Sequence, residues 1–200
     1  MIEIKNLSFS YGKKQVFTDF STLISNNFAT LLGGPNGSGK TTLLQLIGGV
    51  QKPDSGSIII NGHDIAKLKS HEQAELRSIA PQRRIFELPF TVQQIFAIIK
   101  PKRRAAHTED VFEALDLYDL FPLKVTELSL GQQQRVSVAL ALIQQAEYYL
   151  LDEPLSAQDS AYTQKLLDLI TLLSKTTGIL VISHNTGHLA QYFDESIYLS

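Results

Sequence analysis

Gly34-Pro35-Asn36-Gly37-Ser38-Gly39-Lys40-Thr41 is the stretch that decides the fold. It has the form G-x-x-x-x-G-K-[ST], in which a glycine-rich turn aims successive backbone N–H groups inward and the next helix N-terminus adds positive potential. A lysine at this place reaches the outer phosphates of a bound nucleotide, and the following hydroxyl is a ligand for Mg²⁺. Lys40 and Thr41 are therefore the expected phosphate and metal contacts, with Thr42 closing the cradle. The bland alternative is a plain glycine turn. The flanks argue against it, because Phe28 to Leu32 reads as a buried strand and Thr41 to Val50 as a helix.

A phosphoryl-transfer site needs an acidic residue at the end of another strand, and Tyr148-Tyr149-Leu150-Leu151-Asp152-Glu153 supplies one. Asp152 is expected to hold Mg²⁺ through water. Strand alternation places Glu153 on the opposite side from Asp152, where it is expected to polarise an attacking water. Further strands are expected at Ile58 to Ile60 and Gly178 to Ser183, and a helix at Ala161 to Ser174. The opening residues alternate, Ile2 and Ile4 against Glu3 and Lys5, as a half-buried strand does. From about Arg83 to Gln145 helical periods take over, for example Val92, Ile95, Phe96, Ile99 and then Val111, Leu115, Leu117. Helices between unbroken apolar strands imply an α/β fold with a parallel sheet covered on both faces.

Composition narrows the classes. The 200 residues are 44% apolar and 19% charged, with a net charge of −2, which is globular rather than disordered and not the basic balance of a dedicated nucleic-acid binder. Zero cysteines exclude disulfide frameworks, cysteine-ligated zinc and thiol catalysis. The sequence has no run approaching the ~18 to 20 apolar residues of a membrane helix, and no signal peptide. The expected location is cytoplasmic, with any membrane role acting through a partner.

The stretch Leu128-Ser129-Leu130-Gly131-Gln132-Gln133-Gln134-Arg135 resembles the L-S-G-G-Q signature of ATP-binding-cassette (ABC) transporter nucleotide-binding subunits. The other motifs of that family appear in order. Tyr11 stands where the family stacks a ring on adenine; Gln82, in Ala80-Pro81-Gln82, matches the Q-loop glutamine; Asp159, in Ser156-Ala157-Gln158-Asp159, matches the D-loop; His184 matches the switch histidine. The resemblance covers nearly the whole chain. It implies one ABC ATPase domain over 1–200, with a P-loop core and small antiparallel β subdomain (1–82 and 146–200) and an inserted helical subdomain (83–145). It implies ATP and Mg²⁺ as ligands, with Gly34, Pro35, Asn36, Gly37, Ser38, Gly39, Lys40, Thr41 and Thr42 around the phosphates. Thr41, Gln82 and Asp152 would serve the metal, and Glu153, His184 and Gln82 catalysis.

The resemblance also implies that one chain cannot close its own site. Ser129, Gly131 and Gln132 would face nucleotide bound to a second subunit, either a like copy or a paired ABC ATPase, across a two-fold interface. A transmembrane permease would be driven at the inner face of the cell membrane, and no nucleic acid is expected. Leu130 replaces the signature's first glycine, and Gln158 replaces a leucine, read as a minor change. The chain stops at Ser200, where the family's sheet usually continues, so no C-terminal regulatory domain is expected. Arg83 and Arg84 follow the Q-loop, where the family docks the permease. The stretch from Arg77 through Pro81-Gln82 to Leu88-Pro89-Phe90-Thr91-Val92 resembles that of importers of metal chelates, in which a similar Pro-Phe-Thr-Val follows the Q-loop. An alternative is a soluble ABC-type ATPase acting on nucleic acid or ribosomes. The basic run Lys100, Lys102, Arg103 and Arg104 reads as a solvated loop or as a contact with acidic lipid heads or a partner's cytoplasmic loop, and His63, His71, His107 and His188 as surface residues.

Overall fold

The structure, a computed structural model, describes residues 1–99, 104–156, 158–184 and 186–200. Lys100, Lys102 and Arg103 of the basic run lie outside the described residues. Five strands form a parallel sheet: Ala29–Gly33 (β3), Arg77–Ala80 (β6), Tyr148–Asp152 (β7), Gly178–Ile182 (β8) and Glu195–Tyr198 (β9), in the order β6-β7-β8-β3-β9. Ile2–Tyr11 (β1), Lys14–Ile24 (β2), Ser55–Ile60 (β4) and His63–Asp64 (β5) form a second, antiparallel sheet.

The central strands are apolar without alternation because both faces are covered. Tyr148, Leu150, Leu180 and Ile182 share a core with Ile2, Ile4, Leu7 and the helix Lys40–Ile47 (α1). Tyr149, Leu151, Ile179 and Val181 face the other way, into a core built with helices Val92–Ile98 (α3), Thr108–Ala114 (α4), Leu130–Leu142 (α5) and Ser160–Leu173 (α6). The helical periods between Arg83 and Gln145 point where their spacing says they should. Val92, Phe96, Val111, Leu115 and Leu117 are buried, and Ile95 and Ile99 pack against them.

Three details differ from the expectations. Helix α1 stops at Ile47, ahead of Gly48-Gly49, rather than running to Val50. The strand expected at Phe28 begins at Ala29, with Phe28 exposed. Helix Ser70–Leu76 (α2) leads straight into β6, neither of which the sequence pattern marks, since Arg77 and Ser78 dilute the apolar signal of an edge strand. In β1 the inward set moves from Ile2 and Ile4 to Leu7 and Phe9. The pairing with β2 shifts there, around Asn6 at φ 48°, so a bulge keeps both halves facing the core.

Close approach requires glycine at position 178. A Cβ on Gly178 would sit 2.2 Å from the Tyr148 ring, which is itself fully buried beside it in the ladder. Gly178→Ala is expected to lower stability by ~1 to 3 kcal/mol through overpacking, read as a lower urea midpoint. Gly187→Ala, where an added Cβ meets nothing within 4 Å, is the control and is expected to change stability by less than ~0.5 kcal/mol.

Candidate active site

Parallel pairing brings the C-terminal ends of four strands to one level. Ala80 pairs with Leu151, Asp152 with Ile182, and Leu32 also with Ile182. The glycine loop leaves β3, Gln82 follows β6, the two carboxylates end β7, and His184 follows β8. This is the edge at which open α/β sheets bind ligands.

The loop is shaped around its own lysine. Lys40 is buried, and its Nζ donates to the carbonyls of Gly34 (2.8 Å) and Pro35 (2.9 Å). Gly34 has φ 140°, and a Cβ there would lie 2.5 Å from the Leu199 carbonyl oxygen, so only glycine fits. Ser38 Oγ is buried with no hydrogen-bond partner. An orphaned hydroxyl beside a buried ammonium, in a turn rich in N–H groups, matches the chemistry of a phosphate oxygen.

Thr41 Oγ1 donates to Asp152 Oδ1 at 3.4 Å. Strand parity explains the contact, because Asp152 shares the face of Leu150, which packs with α1. A hydroxyl and a carboxylate are hard oxygen donors, the set that suits Mg²⁺ when phosphate and water complete the shell. Burial pushes the Asp152 carboxyl up from 3.8 to about 6, and the nearby Glu153 charge adds to the rise; the Thr41 hydroxyl and Lys40 pull it back.

Strand alternation does not carry through to Glu153. Strand β7 ends at Asp152, and Glu153 turns into the left-handed region at φ 51°. Its backbone is held from both sides: its N–H donates to Ile182 O (3.1 Å), and its carbonyl accepts from the Ser156 N–H (3.2 Å) and hydroxyl (2.9 Å). A non-glycine residue kept in this conformation is local backbone strain. The strand-alternation argument therefore does not extend to Glu153, which lies beyond the strand. Glu153 lines the same cleft of about 390 Å³ as Lys40, Thr41, Gln82 and Asn36 to Gly39. His184 Nδ1 donates to Glu153 Oε2 at 2.9 Å. Tyr11, half exposed at the end of β1, lines the same cleft and donates to Gln45 Oε1 at 3.2 Å.

The signature segment stands apart from that cleft. Ser129 is the N-cap of α5, its Oγ accepting from the Gln132 N–H (3.2 Å) while Gln132 Oε1 accepts from the Ser129 N–H (2.9 Å). This reciprocal box leaves the N–H groups of Leu130 and Gly131 without acceptors inside the helix. None of Ser129, Gly131 and Gln132 lines the cleft around Lys40. Leu130 is 70% exposed beside them. Asp159 caps α6, its Oδ1 accepting from the Tyr162 N–H at 2.8 Å, and that bond holds its carboxyl below the usual value.

Two further features are legible only in three dimensions. His107 is not a surface histidine: its Nε2 meets the Leu142 carbonyl at 2.8 Å and the Tyr149 hydroxyl at 3.2 Å, tying α4 to the end of α5. His63, His71 and His188 are exposed. After the Q-loop, Ile85, Leu88, Phe90 and Ile98 line an exposed apolar groove bordered by Arg83 and Arg84. Burial lowers the Arg84 pKa, and Arg84 has no carboxylate partner among the described residues.

The Asp152 shift has a sign that stability can read. Its folded value lies above the unfolded 3.8, so its contribution is fully present below about pH 4 and is lost as pH rises through about 6. The urea midpoint of Asp152→Asn, measured without nucleotide, is therefore expected to gain on that of the unsubstituted chain across this window and level off above it. A constant difference from pH 4 to 7 would contradict the assignment.

Comparison with known proteins bears on the whole chain. The ABC transporter family model matches residues 17–156. The chain is 32% identical over 202 residues to a zinc import ATP-binding protein, ZnuC of Rickettsia conorii, covering all of this chain and 83% of that one. It is 32% identical over 214 residues to a hemin import ATP-binding protein, HmuV of Rhizobium meliloti, covering all of this chain and 82% of that one. Among solved structures it resembles the dimeric bacterial ABC transporter cassette MJ0796, with TM-score 0.84, 25% identity, and coverage of 100% of this chain and 94% of that one. With its P-loop fold, its glycine cradle and its signature helix, the chain belongs to the ABC transporter family as an ATP-hydrolysing nucleotide-binding subunit.

Proposed function

We propose that this subunit hydrolyses Mg·ATP at a site completed by a second subunit, and that the resulting closing and opening drives import through a transmembrane permease at the cytoplasmic face of the membrane. The observation that carries the hydrolytic part is the Glu153 carboxylate, held by His184 and fronting the same cleft as Lys40 and Thr41. A carboxylate there would take a proton from a water molecule and orient the water oxygen for in-line attack on the outermost phosphorus, whose bond to the bridging oxygen breaks to release ADP and inorganic phosphate.

Each residue then has a distinct task. Lys40 moves from the Gly34 and Pro35 carbonyls to the outer phosphates, while the loop N–H groups and Ser38 Oγ bind their oxygens. Tyr11 offers a ring face to adenine. Thr41 and Asp152, with Gln82 alongside, would hold Mg²⁺, which would supply charge neutralisation to the outer phosphates. His184 keeps the Glu153 carboxylate oriented. Ser129, Gly131 and Gln132 reach no nucleotide in their own chain; from a partner across a two-fold axis, the free N–H groups at the start of α5 suit a γ-phosphate. ATP thus becomes part of the interface, and its hydrolysis weakens the pairing.

The apolar groove after the Q-loop is the proposed permease seat, since exposed apolar surface of this kind marks an interaction site. A cargo of the metal or metal-chelate class is supported by the Leu88-Pro89-Phe90-Thr91-Val92 run and by the zinc and hemin named for the relatives. The nucleic-acid reading is not favoured: the net charge of −2 lacks the basic balance of a dedicated nucleic-acid binder, and the relatives compared are import subunits.

Glu153→Gln is expected to cut steady-state turnover by ~10²- to 10⁴-fold while leaving ATP binding intact; unchanged turnover would remove Glu153 from its role. Lys40→Ala deletes a charged contact worth ~1.5 to 3 kcal/mol, so its nucleotide affinity, measured by calorimetry, is expected to fall at least tenfold.

A further inference from the structure

Gln158 occupies the D-loop position where the family pattern has an apolar leucine, and its side chain is one of two, with Asp159, that join that loop to the signature helix among the described residues. Its Nε2 donates to the Gly131 carbonyl at 3.1 Å, and its Oε1 accepts from Arg135 Nε at 3.4 Å. Arg135 in turn donates to Asp159 Oδ2 at 3.3 Å and lies over the Tyr162 ring, 4.5 Å from its centroid. Asp159 caps α6. One carboxamide therefore bridges the first turn of α5 to the N-terminus of α6, using both its donor and its acceptor.

A leucine could make neither bond. The Gly131 carbonyl belongs to the first turn of α5, whose N–H groups are the free donors described above. Holding that carbonyl fixes the direction in which those donors point. Ser156, two residues before Gln158 in the chain, bonds the Glu153 carbonyl.

We propose that Gln158 is a positioning residue for the composite site: it aligns the Ser129 to Gly131 turn for the nucleotide on the facing subunit. This rests on the two-subunit reading of the site. Gln158 touches neither the cradle nor its cleft, so its effect falls on pairing across the interface and not on binding of nucleotide to a single chain.

Two variants separate the arms of the bridge. Gln158→Leu removes both bonds, while Gln158→Glu keeps an acceptor for Arg135 and loses the donor to Gly131. Each is placed in the Glu153→Gln background, and the Mg·ATP concentration at which half the protein is dimeric is read by light scattering after size exclusion. Binding of a fluorescent ATP analogue to dilute, monomeric protein is measured alongside. Both variants are expected to need roughly tenfold more Mg·ATP to dimerise, on the scale of one or two lost hydrogen bonds, with single-chain affinity unchanged. Normal dimerisation of either variant overturns the proposal, because both lack the bond to Gly131. A parallel loss of single-chain affinity also overturns it, since general loosening of the fold would produce that. If the Glu153→Gln chain itself never dimerises, the two-subunit reading falls and this inference falls with it.

Discussion

Parallel pairing of β3, β8 and β7 holds chemically different segments at one level, and the chemistry follows from that alignment. The pairings of Leu32 and Asp152 with Ile182 fix how far the glycine loop stands from the carboxylates. The strands are stiff because both of their faces are buried, so the loops at their ends inherit a defined spacing. Thr41 and Asp152 are 3.4 Å apart, an open contact with room to tighten around a ligand.

On this frame the protein stores two local tensions. Among the described residues the buried Lys40 ammonium is bonded by carbonyls of its own loop, a weaker partnership than phosphate would provide. Glu153 sits in a backbone conformation unfavourable for its type, where bonds to β8 and Ser156 hold its backbone. Asp152, desolvated and close to Glu153, is held back from ionising. The buried Lys40 ammonium favours the arrival of a compact anion at the glycine loop.

Much of this was readable from the residues. The glycine cradle, the carboxylate pair and the apolar strands are short-range patterns whose meaning depends on sequence neighbours. The Ser129 cap could be read because the N-cap position and Gln132 three residues later form a local motif. Other features were out of reach because they arise between distant segments. The turn at Glu153 depends on where β7 stops, which strand alternation does not encode. The edge strand β6 lacks an apolar signature because its Arg77 and Ser78 are polar. Gln158 looked like a minor replacement until folding placed it against Gly131, 27 residues earlier. His107 likewise acquired its partners, Leu142 and Tyr149, only through packing of α4 on α5 and β7.

The claim that matters most is that the active site is shared between two subunits. The chain contains no cysteine, so engineered thiols can report on it without background. Asn36→Cys, on the exposed cradle loop, and Leu130→Cys, on the exposed start of α5, are purified separately, mixed and oxidised with and without Mg·ATP. The account predicts a disulfide-linked heterodimer that forms only with nucleotide, and in higher yield than either variant forms with itself. A mixture that stays uncrosslinked at saturating Mg·ATP, or that crosslinks equally without it, would contradict a nucleotide-bridged pairing of the signature turn with a neighbouring cradle.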